Sequence, residues 1–183
     1  MRKSVRTFVV VAMVTAGLAV VSGIAIARSR PVDTRDPARL GALAAMDEAL
    51  ARQDLAAAVQ AWRQARELAL RSRGWRGPAE VADAELRLAV AADRLRESKP
   101  TARELFLVTL FRARAEGAVD GALRAAEGFA RLGDRDAAVL ALRIAETAAA
   151  RHGDGEDSAR VRLAGERMLR APADLARPAQ PGS

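Results

Sequence analysis

From Leu40 onward, apolar and polar positions recur with the period of an amphipathic helix, and no stretch reads as a strand. Leu55, Ala58, Val59, Trp62, Ala65 and Leu68 form one stripe at three- and four-residue spacing; Val81, Ala84, Leu88, Ala91 and Leu95 form another. Each stripe puts its members on one side of a helix, where they meet a neighbour. The pattern predicts helices over 38–53, 54–72, 78–97, 101–116, 118–132, 135–151 and 157–170. Asp36 before Pro37 supplies a start signal, an acceptor for exposed amides followed by a ring whose fixed φ suits a first turn. Thr101 with Glu104, directly after Pro100, reads as a capping box. The expected fold class is all-α: an N-terminal transmembrane or signal helix followed by antiparallel helix hairpins.

The run 7–27 is uncharged and mostly apolar, and it follows a basic head of Arg2, Lys3 and Arg6. A helix of about 20 residues rises roughly 30 Å, the thickness of a bilayer's hydrocarbon core, so the run is long enough to anchor. It also fits a cleaved signal, with its apolar middle at 8–21 and the small residues Ala25 and Ala27 ahead of Arg28. Arg28, Arg30, Arg35 and Arg39 come soon after the run, so the charge rule alone is near a tie; the short basic head favours export of the downstream domain. The expected location is the inner membrane, single-pass, with the domain facing the periplasm or exterior. The alternatives are a secreted or periplasmic protein cleaved near Ala27, and a cytoplasmic domain on a reversed anchor. The organisation expected is a signal-anchor or signal peptide over 1–27, a linker over 28–37, a helical domain over 38–171, and a disordered tail over 172–183, where Pro172, Pro178 and Pro181 fall.

Of the net charge of +7, three units are Arg2, Lys3 and Arg6, which leaves +4 for the rest. That is too little to argue for nucleic acid. Cysteine is absent, which excludes disulfides, thiolate metal sites and cysteine nucleophiles. The chain has no tyrosine and is 3% aromatic, which favours closely packed helices over strands. Acids stand four residues before bases at Glu48/Arg52, Asp83/Arg87, Asp120/Arg124, Glu127/Arg131, Glu156/Arg160 and Glu166/Arg170. Local ion pairs of about 0.2–0.5 kcal/mol each are expected there, marking solvated helix faces.

Two stretches share one grammar. Gln53-Asp54 is followed by Ala58, Val59, Trp62 and Ala65, and Gly133-Asp134 by Ala138, Val139, Leu142 and Ala145 at the same spacings. On the preceding helix Met46 and Ala49 answer to Ala126 and Phe129. This grammar resembles the tetratricopeptide repeat, a helix-turn-helix unit with small residues where helices touch and a large one between them. The resemblance implies that Ala58, Ala65, Ala138 and Ala145 permit close approach and that Trp62 and Leu142 fill the gap. The chain departs from the family in having Ala42 and Ala122 where a large residue is usual, and Leu70 and Ala150 where proline is frequent. The stretches are also eighty residues apart (53 to 133), which is not a multiple of the family period of about 34. An irregular helical bundle is the alternative architecture.

Catalytic patterns are missing from the sequence. The single histidine, His152, lies in a Gly-containing segment that reads as a turn, and neither zinc nor calcium spacing is met. No Gly-x-Ser-x-Gly, phosphate loop or dinucleotide fingerprint occurs. The expectation is therefore no enzyme, no cofactor and no metal. Arg71, Arg73, Trp75 and Arg76 make a basic-aromatic loop of the kind enriched at binding surfaces, and Arg73, Trp75 and Arg76 are the candidate partner-binding residues; the competing reading has Trp75 packed over helix ends. The function expected is a non-catalytic, membrane-tethered envelope adaptor or scaffold that binds another protein as a peptide or helix, with an accessory subunit of a larger membrane complex as the alternative. The family resemblance implies such a role.

Overall fold

The protein is described from a computed structural model that covers residues 36–170; the expected anchor or signal 1–27, all but the end of the linker and the tail 172–183 lie outside the described residues. The chain divides after Val32 into two units, and the described residues belong to the second, Asp33–Ser183. They form seven helices and no strand: α1 Pro37–Ala51, α2 Leu55–Arg71, α3 Arg76–Ala91, α4 Leu95–Glu116, α5 Val119–Leu132, α6 Arg135–His152 and α7 Gly155–Arg170. Among them no helix is long and apolar enough to cross a membrane. The all-α expectation holds for these residues.

Tight turns set the topology. Gln53, Asp93 and Gly133, forty residues apart, all adopt a left-handed backbone (φ 60°, 51° and 80°) just past the ends of α1, α3 and α5. At each turn the next amide reaches back to the last turn of the helix: Asp54 N to Ala49 O, Arg94 N to Ala89 O and Asp134 N to Phe129 O, each 2.9 Å. That bond satisfies a carbonyl the helix leaves open and reverses the chain at once. Asp54 and Asp134 then cap the following helix by accepting from Ala57 N (3.0 Å) and Ala137 N (3.2 Å). The result is three hairpins, α1/α2, α3/α4 and α5/α6, followed by α7. First helices contact first helices along the stack, α1 to α3 to α5 to α7. The eighty-residue separation of the two similar stretches is thus two hairpin periods of forty.

One boundary departs from expectation. The third helix ends at Ala91 and the fourth begins at Leu95, so Pro100, Thr101 and Glu104 lie inside α4 and the Thr101 capping box does not form. Asp93 supplies the left-handed residue and Arg94 the return bond, so the third turn keeps the forty-residue register. Pro100 is the sixth residue of α4, close enough to its start for the helix to continue through it. At α7 Asp154 accepts from Glu156 N at 2.9 Å and the helix begins at Gly155, two residues before the expected 157.

The core is built of alanine with a few large side chains, Phe106, Phe129, Met46, Leu105 and Leu110, all buried. Helices approach closely where side chains vanish. A Cβ at Gly128 would lie 2.4 Å from Phe106 Cε1, and one at Gly121 would lie 2.6 Å from both Ala113 Cβ and Trp75 Cδ2. Phe106 therefore lies on the bare backbone of α5, edge-on to Phe129 with centroids 6.1 Å apart. Of the small residues singled out, Ala58, Ala65 and Ala145 are wholly buried and Ala138 nearly so. Trp62 bridges α2 and α3, its indole Nε1 donating to Val81 O at 3.2 Å. Leu142 is half-buried on α6.

Candidate interaction surface

Most of the expected local ion pairs give way to pairs between hairpins. Arg87 forks onto Asp47 (3.1 and 3.2 Å), Arg39 meets Glu80 at 3.1 Å, Asp83 receives both Arg124 and Arg131, and Arg160 reaches Asp120. Of the six local pairs, Glu48/Arg52 is present, at 3.9 Å, and the Arg170 side chain lies outside the described residues. The reason is geometric. First helices lie side by side, so a long arginine reaches the next helix as easily as its own next turn, and its planar fork suits a carboxylate there. The second-helix layer is tied likewise: Arg103 donates to Asp134 at 2.6 Å, and Arg66 lies 3.9 Å from Glu104. Burial opposes the charge on Asp134, but the Arg103 hydrogen bond and the Ala137 amide outweigh it and hold its carboxyl below the usual range.

The three connections between successive hairpins and α7 gather at one end of the stack. Two are short, Gly117–Ala118 and Gly153–Asp154; the loop from Ser72 to Trp75 is the longer one, and it carries the candidate partner residues. Arg112 of α4 organises it. Its guanidinium donates to Ala69 O (3.1 Å), Leu70 O (2.9 Å), Ser72 O (2.9 Å) and Gly74 O (3.0 Å). Ala69 and Leu70 belong to the open end of α2, where a cation is favoured twice, as donor and as charge, and Ser72 and Gly74 to the loop that follows. Gly74 turns the chain with φ 91°.

Trp75 is half-buried, because the glycine at 121 leaves room for its ring against α5. Arg76 covers the ring with its guanidinium 4.9 Å from the centroid, a cation–π contact. The structure thus brings Trp75 and Arg76 together and leaves Arg73 exposed beside them, with the indole divided between packing and surface. Glu116 at the end of α4 lies near the same loop; burial raises its pKa, against the pull of Arg112 and Arg76. Sequence reasoning missed Arg112, whose role depends on a helix end forty residues away. It also missed Phe111, which is 61% exposed near the same end of α4.

Elsewhere Glu85 of α3 is buried, and desolvation pushes its pKa up despite a hydrogen bond from Ser98 and the charges of Arg94 and Arg66. His152 is the last residue of α6 and not part of the turn that follows, and its Nδ1 lies 3.2 Å from Asp157 in the first turn of α7. Among the described residues no group of three or more His, Asp or Glu is placed to hold a metal ion. The chain matches no family model, and no curated protein or solved structure compared with it is similar.

Proposed function

We propose that this chain is a non-catalytic adaptor, a tetratricopeptide-like stack of helix hairpins that binds another protein at the end of the stack carrying Arg73, Trp75, Arg76 and Phe111. The observation that carries this reading is the pairing of rigidity with exposure. Arg112 pins the 72–75 loop through four carbonyl bonds, while Arg73 and Arg76 are exposed and Phe111 stays 61% exposed. A pre-ordered loop loses little entropy on binding, and arginine and aromatic groups are the side chains that dominate binding energy at protein interfaces. The partner that fits is an apolar, acidic segment, an extended peptide or a helix edge.

The stacked hairpins and the buried small residues Ala58, Ala65, Ala138 and Ala145 support the repeat reading. The run 7–27 supports attachment to, or export across, the inner membrane, with the domain on the far side. An affinity pull-down with the full-length chain tests the proposal. Arg73→Glu together with Arg76→Glu, and separately Phe111→Ala, should each reduce recovery of the wild-type partner about tenfold, equivalent to about 1.4 kcal/mol each. Unchanged recovery from both variants places recognition elsewhere.

A further inference from the structure

The forty-residue register exposes a place that no described helix fills. Ala82 and Glu85 of α3, and Ala122 and Ala125 of α5, are buried, and each of these helices has its own hairpin's second helix packed on it. Their counterparts in α7 are Arg162, which is exposed, and Gly165, which is half-buried, and no described helix follows α7. What remains among the described residues is a groove of about 340 Å³ between α6 and α7, floored by Leu142, Ala149, Val161 and Gly165 and rimmed by Glu146, Ser158, Arg162 and Glu166.

We propose that this groove is a self-association site, filled by α7 of a second copy of the chain across a two-fold axis. Three observations select that occupant. First, the second helix that α3 and α5 possess runs antiparallel to them, and a two-fold axis across α7 sets its own copy antiparallel, so each chain supplies the helix that no described residue of the other provides, and α6 and α7 of both copies form a four-helix bundle. Second, the rim carries both signs, Arg162 beside the acids Glu146 and Glu166, as a surface that meets its own copy needs. Arg162 on one chain faces Glu146 on the other and the reverse, as an isologous interface requires. Third, Gly165 is not demanded by its own fold: an added Cβ has as its nearest neighbour Leu142 Cδ1, at 3.8 Å, an ordinary contact. A glycine inside a helix costs about 1 kcal/mol relative to alanine. Here it leaves a notch where another helix approaches. The inference stands apart from the adaptor reading, since the groove involves α6 and α7 and not the 72–75 loop.

The chain has no cysteine, so single cysteines report contacts without background. Full-length protein in mild detergent carrying Gly165→Cys should oxidise to a disulfide-linked dimer. Gly41→Cys is the control, on α1 with open space around the glycine, and should remain monomeric under the same conditions. On the Gly165→Cys background, Arg162→Glu should lower the cross-linking yield about tenfold, and adding Glu146→Arg should restore it. Equal cross-linking at positions 165 and 41, or a charge reversal that the compensating change does not rescue, overturns the proposal. So does a dimer that forms only when residues 171–183 are removed, because the chain's own tail is then the occupant.

Discussion

At the scale of single residues, the forty-residue repeat shows where one position departs from its counterparts. Position 125 in α5 is alanine and 165 in α7 is glycine, yet the same place in α3 is Glu85, 7% exposed. Burial is the largest influence on its carboxyl and raises its pKa; the Ser98 hydrogen bond and the charges of Arg94 and Arg66 only partly compensate. A group that holds its proton more tightly when folded stabilises the fold as pH falls through the raised folded pKa, and weighs against it above. Glu85→Gln keeps the shape and removes the charge. It should therefore raise the denaturation midpoint at neutral pH, and the gain should vanish on acidification to about pH 4, where the wild-type carboxyl carries its proton. Urea titrations at both pH values read this directly; a gain that persists in acid points to packing instead of charge.

At the scale of elements, α4 is the informative case. It is 22 residues long, carries Pro100 inside, and begins six residues before the expected start at 101. Proline there removes one backbone donor and crowds the carbonyl of Arg96. Pro100→Ala should stabilise the protein by about 1–2 kcal/mol, part of the helix-interior cost being offset by the greater freedom alanine gives the unfolded chain. A denaturant midpoint that moves down shows that the ring is needed where it is. The same helix shows what the sequence made legible. The apolar stripes and the start signal at Asp36 located most boundaries to within a few residues, because they are local. The third turn was hidden because Asp93 does the work after α3 that Gly133 does after α5, while Pro100-Thr101 imitates a helix start. The partition of Trp75 was equally hidden, since its room comes from a missing side chain at Gly121, across the fold. The ion pairs were ambiguous in principle: Asp83 lies four residues before Arg87, yet it is Arg124 and Arg131 that it holds.

At the scale of the whole molecule, the contacts between hairpins set how far the stack behaves as one object. An array of hairpins touching mainly its neighbours has a stability set by each unit and by each interface between units, so weakening one interface uncouples the units on either side of it. Exposed ion pairs contribute little to such an interface, about 0–1 kcal/mol each, which leaves the partly buried Arg112, the buried Arg39 on Glu80 and the Trp62 indole on Val81 O as the polar ties between the first hairpin and the second. Arg112→Ala takes this donor from the carbonyls of Leu70, Ser72 and Gly74, while Ala69 O keeps the Ser72 hydroxyl, and should cost about 2–3 kcal/mol. Arg112→Lys, a point charge without the fork, should recover only part of that. The loss should also be uneven. Hydrogen exchange on the alanine variant should show α1 and α2 opening at lower free energy than α5 and α6, whereas the wild type should protect both to a similar level. Uniform loss of protection along the stack shows instead that the hairpins are coupled through their apolar faces, with Trp62 against α3 and Phe106 against α5, and that the arginine acts only on its own loop.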